Sequence, residues 1–321
     1  MRIILSFCFL LTIITPRVFS QNLYDSLYVE KIVSLTTPSG VIEGTLTVPD
    51  KFRKGPIVLI ISGSGPTDRD GNSAMIIGKN NSLLQLAHSL AKNNIASLRF
   101  DKRGIGKSSK ALSSEYEIRF DNYVKDANNW VQFLKNDRRF TKIIIAGHSE
   151  GSLIGMIAAQ HAVDQFISIA GAGFPANEIL KTQLANLPEN LKNESFSIID
   201  SLTNGLLVNK TPAALNALFR KSVQPYLISW FHYNPQVEMS KLTIPTLIIQ
   251  GDNDLQVTVK DAEALKKGKP NSVLFIIQTM NHVLKKVGAD KTENIKSYSN
   301  PELPISEELV NQIVSFIKKS K

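Results

Sequence analysis

The 321-residue chain is 43% hydrophobic and 20% charged, with 18 glycines, 14 prolines and a formal net charge of +9. That composition excludes a disordered, collagen-like or coiled-coil protein. The length suffices for a sizeable core, in one large α/β domain or a domain carrying an insertion. The basic residues fall in short scattered groups, such as Lys102-Arg103 and Lys285-Lys286. No aromatics interleave them, and no finger or helix-turn-helix spacing appears. They read as solvated faces, not as a nucleic-acid surface.

In chain order, Arg2 precedes an apolar stretch over residues 3–14, broken only by Ser6, Cys8 and Thr12; Pro16 and Val18-Phe19-Ser20 follow. This is the layout of a secretory signal peptide. It predicts a leader over residues 1–20, cleavage after Ser20 and a secreted or periplasmic protein. A retained anchor is the alternative, but the stretch is short for a membrane span, which needs about 20 residues. Cys8 is the only cysteine. A chain cleaved after Ser20 therefore has no disulfide, no thiolate metal site and no cysteine nucleophile.

Residues 28–35 and 41–48 read as two strands joined by the turn cluster Thr37-Pro38-Ser39-Gly40, hence a hairpin. Residues 56–62 form a continuous apolar run ending at Gly63-Ser64-Gly65-Pro66, the pattern of a strand buried on both faces. A leucine-spaced helix is expected over 81–92 and a strand over 95–100. An amphipathic helix follows over 123–134, then a buried strand over 142–146, a small-residue helix over 152–160 and a strand over 165–170. Residues 174–242 contain no β-rich run and read as helices over 176–185, 194–206 and 212–222. Strands over 246–250 and 273–277 and a helix over 306–318 close the chain. The alternation predicts a mainly parallel sheet covered on both faces, with the hairpin adding an antiparallel edge. Residues 21–173 and 243–321 would form the core. The helical insertion over 174–242 would cap a site at the strand ends.

Gly147-His148-Ser149-Glu150-Gly151 is a G-x-S-x-G pattern between a strand and a helix. That context fits a nucleophile elbow, a turn so sharp that side chains two positions either side of the serine would clash. A serine hydroxyl needs a base, and the base needs an orienting carboxylate. On such scaffolds the order along the chain is serine, acid, histidine. Of His161, His232 and His282, only His282 follows the last strand by a short loop. The strand over 246–250 runs into Asp252-Asn253-Asp254; Asp254 is taken as the acid, with Asp252 capping the turn. Two amides should receive the oxyanion: the N–H of Glu150, and one from the loop after residue 62, with Ser64 favoured and Gly65 next.

Five segments together resemble the α/β-hydrolase superfamily, and more narrowly its secreted bacterial serine esterases of the serine-aminopeptidase-like and acyl-esterase branch. They are Gly63-Ser64-Gly65-Pro66-Thr67-Asp68-Arg69-Asp70-Gly71-Asn72, the loop from Phe100-Asp101-Lys102-Arg103 to Ser108, the elbow, Gln250 to Val257, and Asn281-His282. The resemblance implies hydrolysis of carboxylic esters through an acyl-serine, with no cofactor or metal and a small-molecule ester as partner. It leaves open ester against peptide, lactone or thioester. Acyl length, natural substrate and oligomeric state stay open too. Glu150 departs from the commonest elbow; a pairing with Arg69 or Arg103 is expected to neutralise it.

Other motifs fail on spacing. The Gly-Lys-Ser at 106–108 lacks the P-loop glycine, because Asp101 stands there. The Asp68 loop lacks the glycine and the glutamate of a calcium loop, having Ser73 and Lys79 instead. There is no His-Glu-x-x-His. The rival readings are an aminopeptidase, with cap carboxylates among Glu178, Glu189, Glu194, Asp200 and Glu238 holding a free amino terminus, and a non-catalytic binding protein on the same scaffold. The apolar residues Leu206, Leu207, Leu218, Phe219, Tyr226, Leu227, Trp230 and Phe231 would line an acyl pocket, or simply pack the insertion on the core.

Overall fold

The computed structural model describes residues 27–319. The leader expected over residues 1–20 lies outside them. Eight strands form one sheet: β1 (Tyr28–Thr37), β2 (Gly40–Pro49), β3 (Gly55–Ile61), β4 (Ala96–Phe100), β5 (Phe140–His148), β6 (Gln165–Ile169), β7 (Thr246–Gly251) and β8 (Val273–Ile277). Their spatial order is β1-β2-β4-β3-β5-β6-β7-β8. β1 and β2 are antiparallel, as is β2 against β4, while every pairing from β4 to β8 is parallel. The expected hairpin and its antiparallel edge are therefore present.

The helices are α1 (Ser82–Lys92), α2 (Phe120–Lys135), α3 (Glu150–Ala158), α4 (Ala176–Leu184), α5 (Glu189–Thr203), α6 (Asn216–Phe219), α7 (Gln224–Phe231), α8 (Pro235–Ser240), α9 (Val259–Gly268), α10 (Lys291–Ser297) and α11 (Glu307–Lys319). Successive side chains of a strand point to opposite faces. Ile57, Leu59 and Ile61 of β3 accordingly join Trp130, Leu134, Leu153 and Leu265 from α2, α3 and α9. Val58 and Ile60 join Leu83, Leu86, Leu90, Leu309 and Ile313 from α1 and α11 on the other face. Covering helices on both sides explain why the inner strands read as unbroken apolar runs.

The connections put the functional end in one place. From β3 the chain passes through α1 to β4 on one side. From β4 it passes through α2 and returns to β5 on the opposite side of β3. The strand order reverses there, and the carboxyl ends of β3 and β5 splay apart into a crevice. The segments after those two ends are Gly63-Ser64-Gly65 and Ser149.

Between β6 and β7 the chain forms only α4 to α8 and one 3-10 turn (Ala213–Leu215). All but α8 share a small apolar cluster of their own, with Ile198, Ile199, Leu202, Phe219, Leu227 and Phe231 buried in it, while Met239 of α8 packs into the main core. The details differ from the expectation over 212–222. That stretch holds the 3-10 turn and the single-turn α6, and the real helices α7 and α8 follow it. Pro225 and Pro235 stand in their first turns, where the missing N–H would have no intrahelical acceptor anyway.

Candidate active site

β5 ends at His148 and α3 begins at Glu150, leaving a single residue, Ser149, to turn the chain. Its backbone stands at φ 55°, ψ −123°, a region that costs a non-glycine residue of order 1–3 kcal/mol. The flanking glycines make the turn sterically possible. A Cβ on Gly147 would lie 2.1 Å from the Gly151 carbonyl oxygen, and one on Gly151 would lie 2.4 Å from that of Ile61. The Ser149 N–H is tied to the β6 carbonyl of Ile169 at 3.0 Å.

The loop after β3 lies directly against this turn. A Cβ on Gly63 would sit 3.1 Å from that of Ser149. Ser64, Gly65, Ser149 and Glu150 all line one cavity of about 480 Å³. Glu150 is the first residue of α3, so its N–H has no partner within the helix and lies at the positive end of the helix dipole.

Asp254 and His282 arrive from beyond β6, in the turns after β7 and β8. The turns after β7 and β8 are laced together. Asp252 N–H donates to the Ile277 carbonyl, Asn253 N–H to that of Met280, and Thr279 N–H to the Asp252 carboxylate at 2.6 Å. Asp252 thus holds the turn, while Asp254 Oδ2 accepts from His282 Nδ1 at 2.8 Å. The Asp254 carboxylate also accepts from Gln250 Nε2 and from the N–H groups of Gln256 and Val257. Burial alone would raise its pKa; the His282 ring and these donors outweigh burial and hold it below the usual aspartate value. With the proton on Nδ1 directed at the carboxylate, Nε2 is the basic nitrogen of His282. His161 and His232 are exposed and stand apart from this arrangement.

A second histidine supports the first. His148 Nε2–H donates to the His282 carbonyl at 2.8 Å, and the two rings lie 4.8 Å apart. Burial, and then the neighbouring His282, push the His148 pKa down to about 3, so this ring is a neutral donor. Neither this prop nor the role of Gln250 was legible in the sequence. Both residues lie within recognised segments, but nothing in their type announces these roles.

Glu150 is neutralised as anticipated, but by a different residue. Arg69 is engaged by Glu43 and Asp101, and Arg103 by Asp126. The partner is Lys102, whose Nζ lies 3.0 Å from Glu150 Oε2. The reason is geometric. Asp101 gathers Arg69 and the Lys107 N–H on one side of the loop, and Lys102 alone turns inward under the elbow.

The cavity wall is mainly apolar. Leu153, Phe174, Ile179, Leu180, Leu218, Tyr226, Leu227 and Trp230 supply most of it. Of the eight residues expected to line it, Leu218, Tyr226, Leu227 and Trp230 do so. Phe219 and Phe231 are buried within the helical cluster, and Leu206 and Leu207 are exposed. None of the five cap carboxylates lines it; Asp200 pairs with Lys181 and Glu238 with Lys241. Among the described residues no group of three or more His, Cys, Asp or Glu is placed to hold a metal ion.

Residues 78–213 match the family described as serine aminopeptidase, S33. Esterase EstD of Thermotoga maritima is 28% identical over 259 residues, which cover 76% of this chain and 58% of that protein. The chain therefore spans little more than half the length of that relative. The 2-hydroxy-6-oxo-6-(2'-aminophenyl)hexa-2,4-dienoic acid hydrolase of Metapseudomonas resinovorans is 21% identical over 258 residues, covering 74% of this chain and 79% of that one. Among solved structures, Est1E from Butyrivibrio proteoclasticus superimposes with a TM-score of 0.57 at 18% identity, over 90% of this chain and 99% of that one. The Pyrococcus furiosus esterase Pf2001 does so at 0.58 and 17% identity, over 92% of each chain. At such identities the structural likeness speaks for the fold.

Proposed function

We propose that this chain, which has the α/β-hydrolase fold, hydrolyses carboxylic esters of small to medium acyl groups through an acyl-serine intermediate. Ser149 Oγ attacks the ester carbonyl carbon, and His282 Nε2 takes its proton. The tetrahedral oxyanion lies between the N–H groups of Ser64 and Glu150. His282 then protonates the leaving alcohol, and the same steps with water as nucleophile release the acid and restore Ser149. Asp254 fixes the imidazole tautomer and balances its transient charge. Residues 174–242 act as a cap whose helices supply the acyl pocket.

The observation that carries this reading is the gathering of four chain segments at one edge of the sheet. The loop at Ser64, the strained Ser149, Asp254 and His282 follow the carboxyl ends of β3, β5, β7 and β8; His282 is held against the elbow through His148, and Ser64 and Ser149 line the apolar cavity.

The matched family's description favours an aminopeptidase as the second reading. A free amino terminus needs a carboxylate in the pocket. Glu150 is the only one among the cavity's lining residues, and Lys102 already compensates it. The ester reading is therefore preferred. Initial rates on p-nitrophenyl acetate, butyrate and octanoate, beside a set of amino-acyl p-nitroanilides, decide between the two. Serine-dependent ester turnover well above amide turnover is expected. Amide cleavage without comparable ester turnover would transfer the protein to the peptidase reading.

A further inference from the structure

Lys102 and Glu150 form an ion pair with side chains 1% and 2% exposed. Removing both charges from water costs several kcal/mol per ion, and such a pair is weak evidence for stability. Its surroundings suggest a different use. The Lys102 ammonium has a second contact, shorter than the first: it donates to the Gly63 carbonyl oxygen at 2.6 Å. That carbonyl belongs to the peptide unit whose N–H is the N–H of Ser64. In a trans peptide the C=O and N–H point in opposite directions. Fixing the oxygen on a buried cation therefore fixes the direction of the Ser64 N–H.

The other end of the pair is Glu150, whose own N–H is the second candidate oxyanion donor. One buried ammonium thus contacts both the Gly63–Ser64 peptide and the side-chain carboxylate of Glu150. Lys102 is itself held 4.9 Å from the centre of the Tyr123 ring, an additional constraint on the ammonium. Among the described residues Glu150 Oε1 has no hydrogen-bond partner, and Lys102 is the one cation paired with the carboxylate.

We propose that Lys102 is the positioning residue of the oxyanion hole. Its ammonium holds the Gly63–Ser64 peptide in the orientation that aims the Ser64 N–H at the developing oxyanion. It polarises that N–H through the carbonyl, and it cancels a Glu150 charge that would otherwise oppose the oxyanion. This rests on the reading of Ser64 and Glu150 given above. The other ties of the loop fall on later peptides: Thr67 Oγ1 donates to the Ser64 carbonyl at 2.7 Å and Thr67 N–H to that of Gly65 at 2.8 Å, while the Gly63 carbonyl is gripped by Lys102. Gly63 carries no side chain to restrict that peptide, so its orientation depends on what holds the carbonyl. Donors that need no reorganisation during the reaction are what make such a hole effective.

The test compares an aryl ester with its thionoester, whose sulfur is a poor acceptor of the hole's hydrogen bonds. It uses the full chain and the double variant Lys102→Met/Glu150→Gln, which removes the cation without stranding an anion. The ester kcat/KM is expected to fall about 10²-fold, as for loss of one oxyanion donor. KM should change little and the thionoester rate should hold, so the ester-to-thionoester ratio collapses. If both rates fall together, Lys102 only supports the fold and the proposal is wrong. Unchanged ester turnover would also overturn it. Should the double variant not fold, Lys102→Gln is read by the same ratio. It keeps an N–H for the Gly63 carbonyl without the charge, so a ratio reduced about tenfold is expected, and an unchanged ratio sinks the proposal. A wild type with no Ser149-dependent ester turnover would instead overturn the esterase reading itself, which separates the two failures.

Discussion

At the scale of single residues, the site trades stability for geometry. Ser149 occupies a conformation that glycine adopts freely and serine does not. Ser149→Gly should therefore be more stable than Ser149→Ala by about 1 kcal/mol in urea unfolding, while both lose ester hydrolysis. Equal stability of the two variants would mean that the turn is not strained. His148 gives a second expectation. When unfolded it takes up a proton as pH falls through the ordinary value of 6.5, whereas folded it resists until about 3. The unfolded chain then binds more protons across that window, so folding stability must fall as pH drops from 6.5 towards 3. His148→Gln should flatten that slope in urea titrations at stepped pH; an unaltered slope would show that His148 charges readily in the folded chain. In the sequence, motif, chain order and strand ends restrict Ser149, Asp254 and His282 each to one or two positions. The partner of Glu150 was not legible there, because Arg69, Lys102 and Arg103 lie in or beside the same two loops. Only the three-dimensional allocation of Glu43, Asp101 and Asp126 shows that both arginines are already engaged.

At the scale of elements, legibility followed burial. β3, β5 and β7 are continuous apolar runs and stood out. α9 and α10 were missed because lysines and acidic residues crowd their sequences and each buries only a narrow stripe, such as Ala262 and Leu265 of α9. A parallel crossover needs a connection there, and topology could have demanded α9 between β7 and β8. The Asp68 to Asn72 loop stood out in the sequence as part of a resembling segment and as a calcium-like pattern, with no structural role assigned to it. In the structure its polar residues brace the chain: Asp68 Oδ1 accepts the N–H groups of Asp70 and Asn72, and Asn72 Oδ1 accepts those of Asn80 and Asn81. Buried Arg69 then locks that loop to Asp101 through two hydrogen bonds to its carboxylate. Among the helices between β6 and β7, α4 sets one wall of the cavity through Ile179 and Leu180. Leu180→Trp should fill space there. It is expected to raise KM for octanoate about tenfold, a cost near 1.4 kcal/mol, with acetate little changed. Equal effects on both esters would place the acyl chain elsewhere.

At the scale of the whole molecule, the reversal of strand order between β3 and β5 opens the crevice. Every group invoked in catalysis hangs from the carboxyl edge of one sheet. The covering helices α1, α2, α3, α9 and α11 make that edge rigid, and the helices between β6 and β7 give the crevice its apolar side. On the proposed reading the two halves differ in what they specify: the sheet edge carries the reaction, and the helical segment selects the acyl group. The central claim is that Ser149, activated by His282, is the nucleophile, and covalent labelling tests it most directly. A fluorophosphonate probe, followed by mapping of the modified peptide, should place one label per chain on Ser149. Labelling should vanish in Ser149→Ala and slow by several orders of magnitude in His282→Ala. Undiminished labelling in Ser149→Ala, or a modified residue elsewhere with Ser149 untouched, would contradict the account.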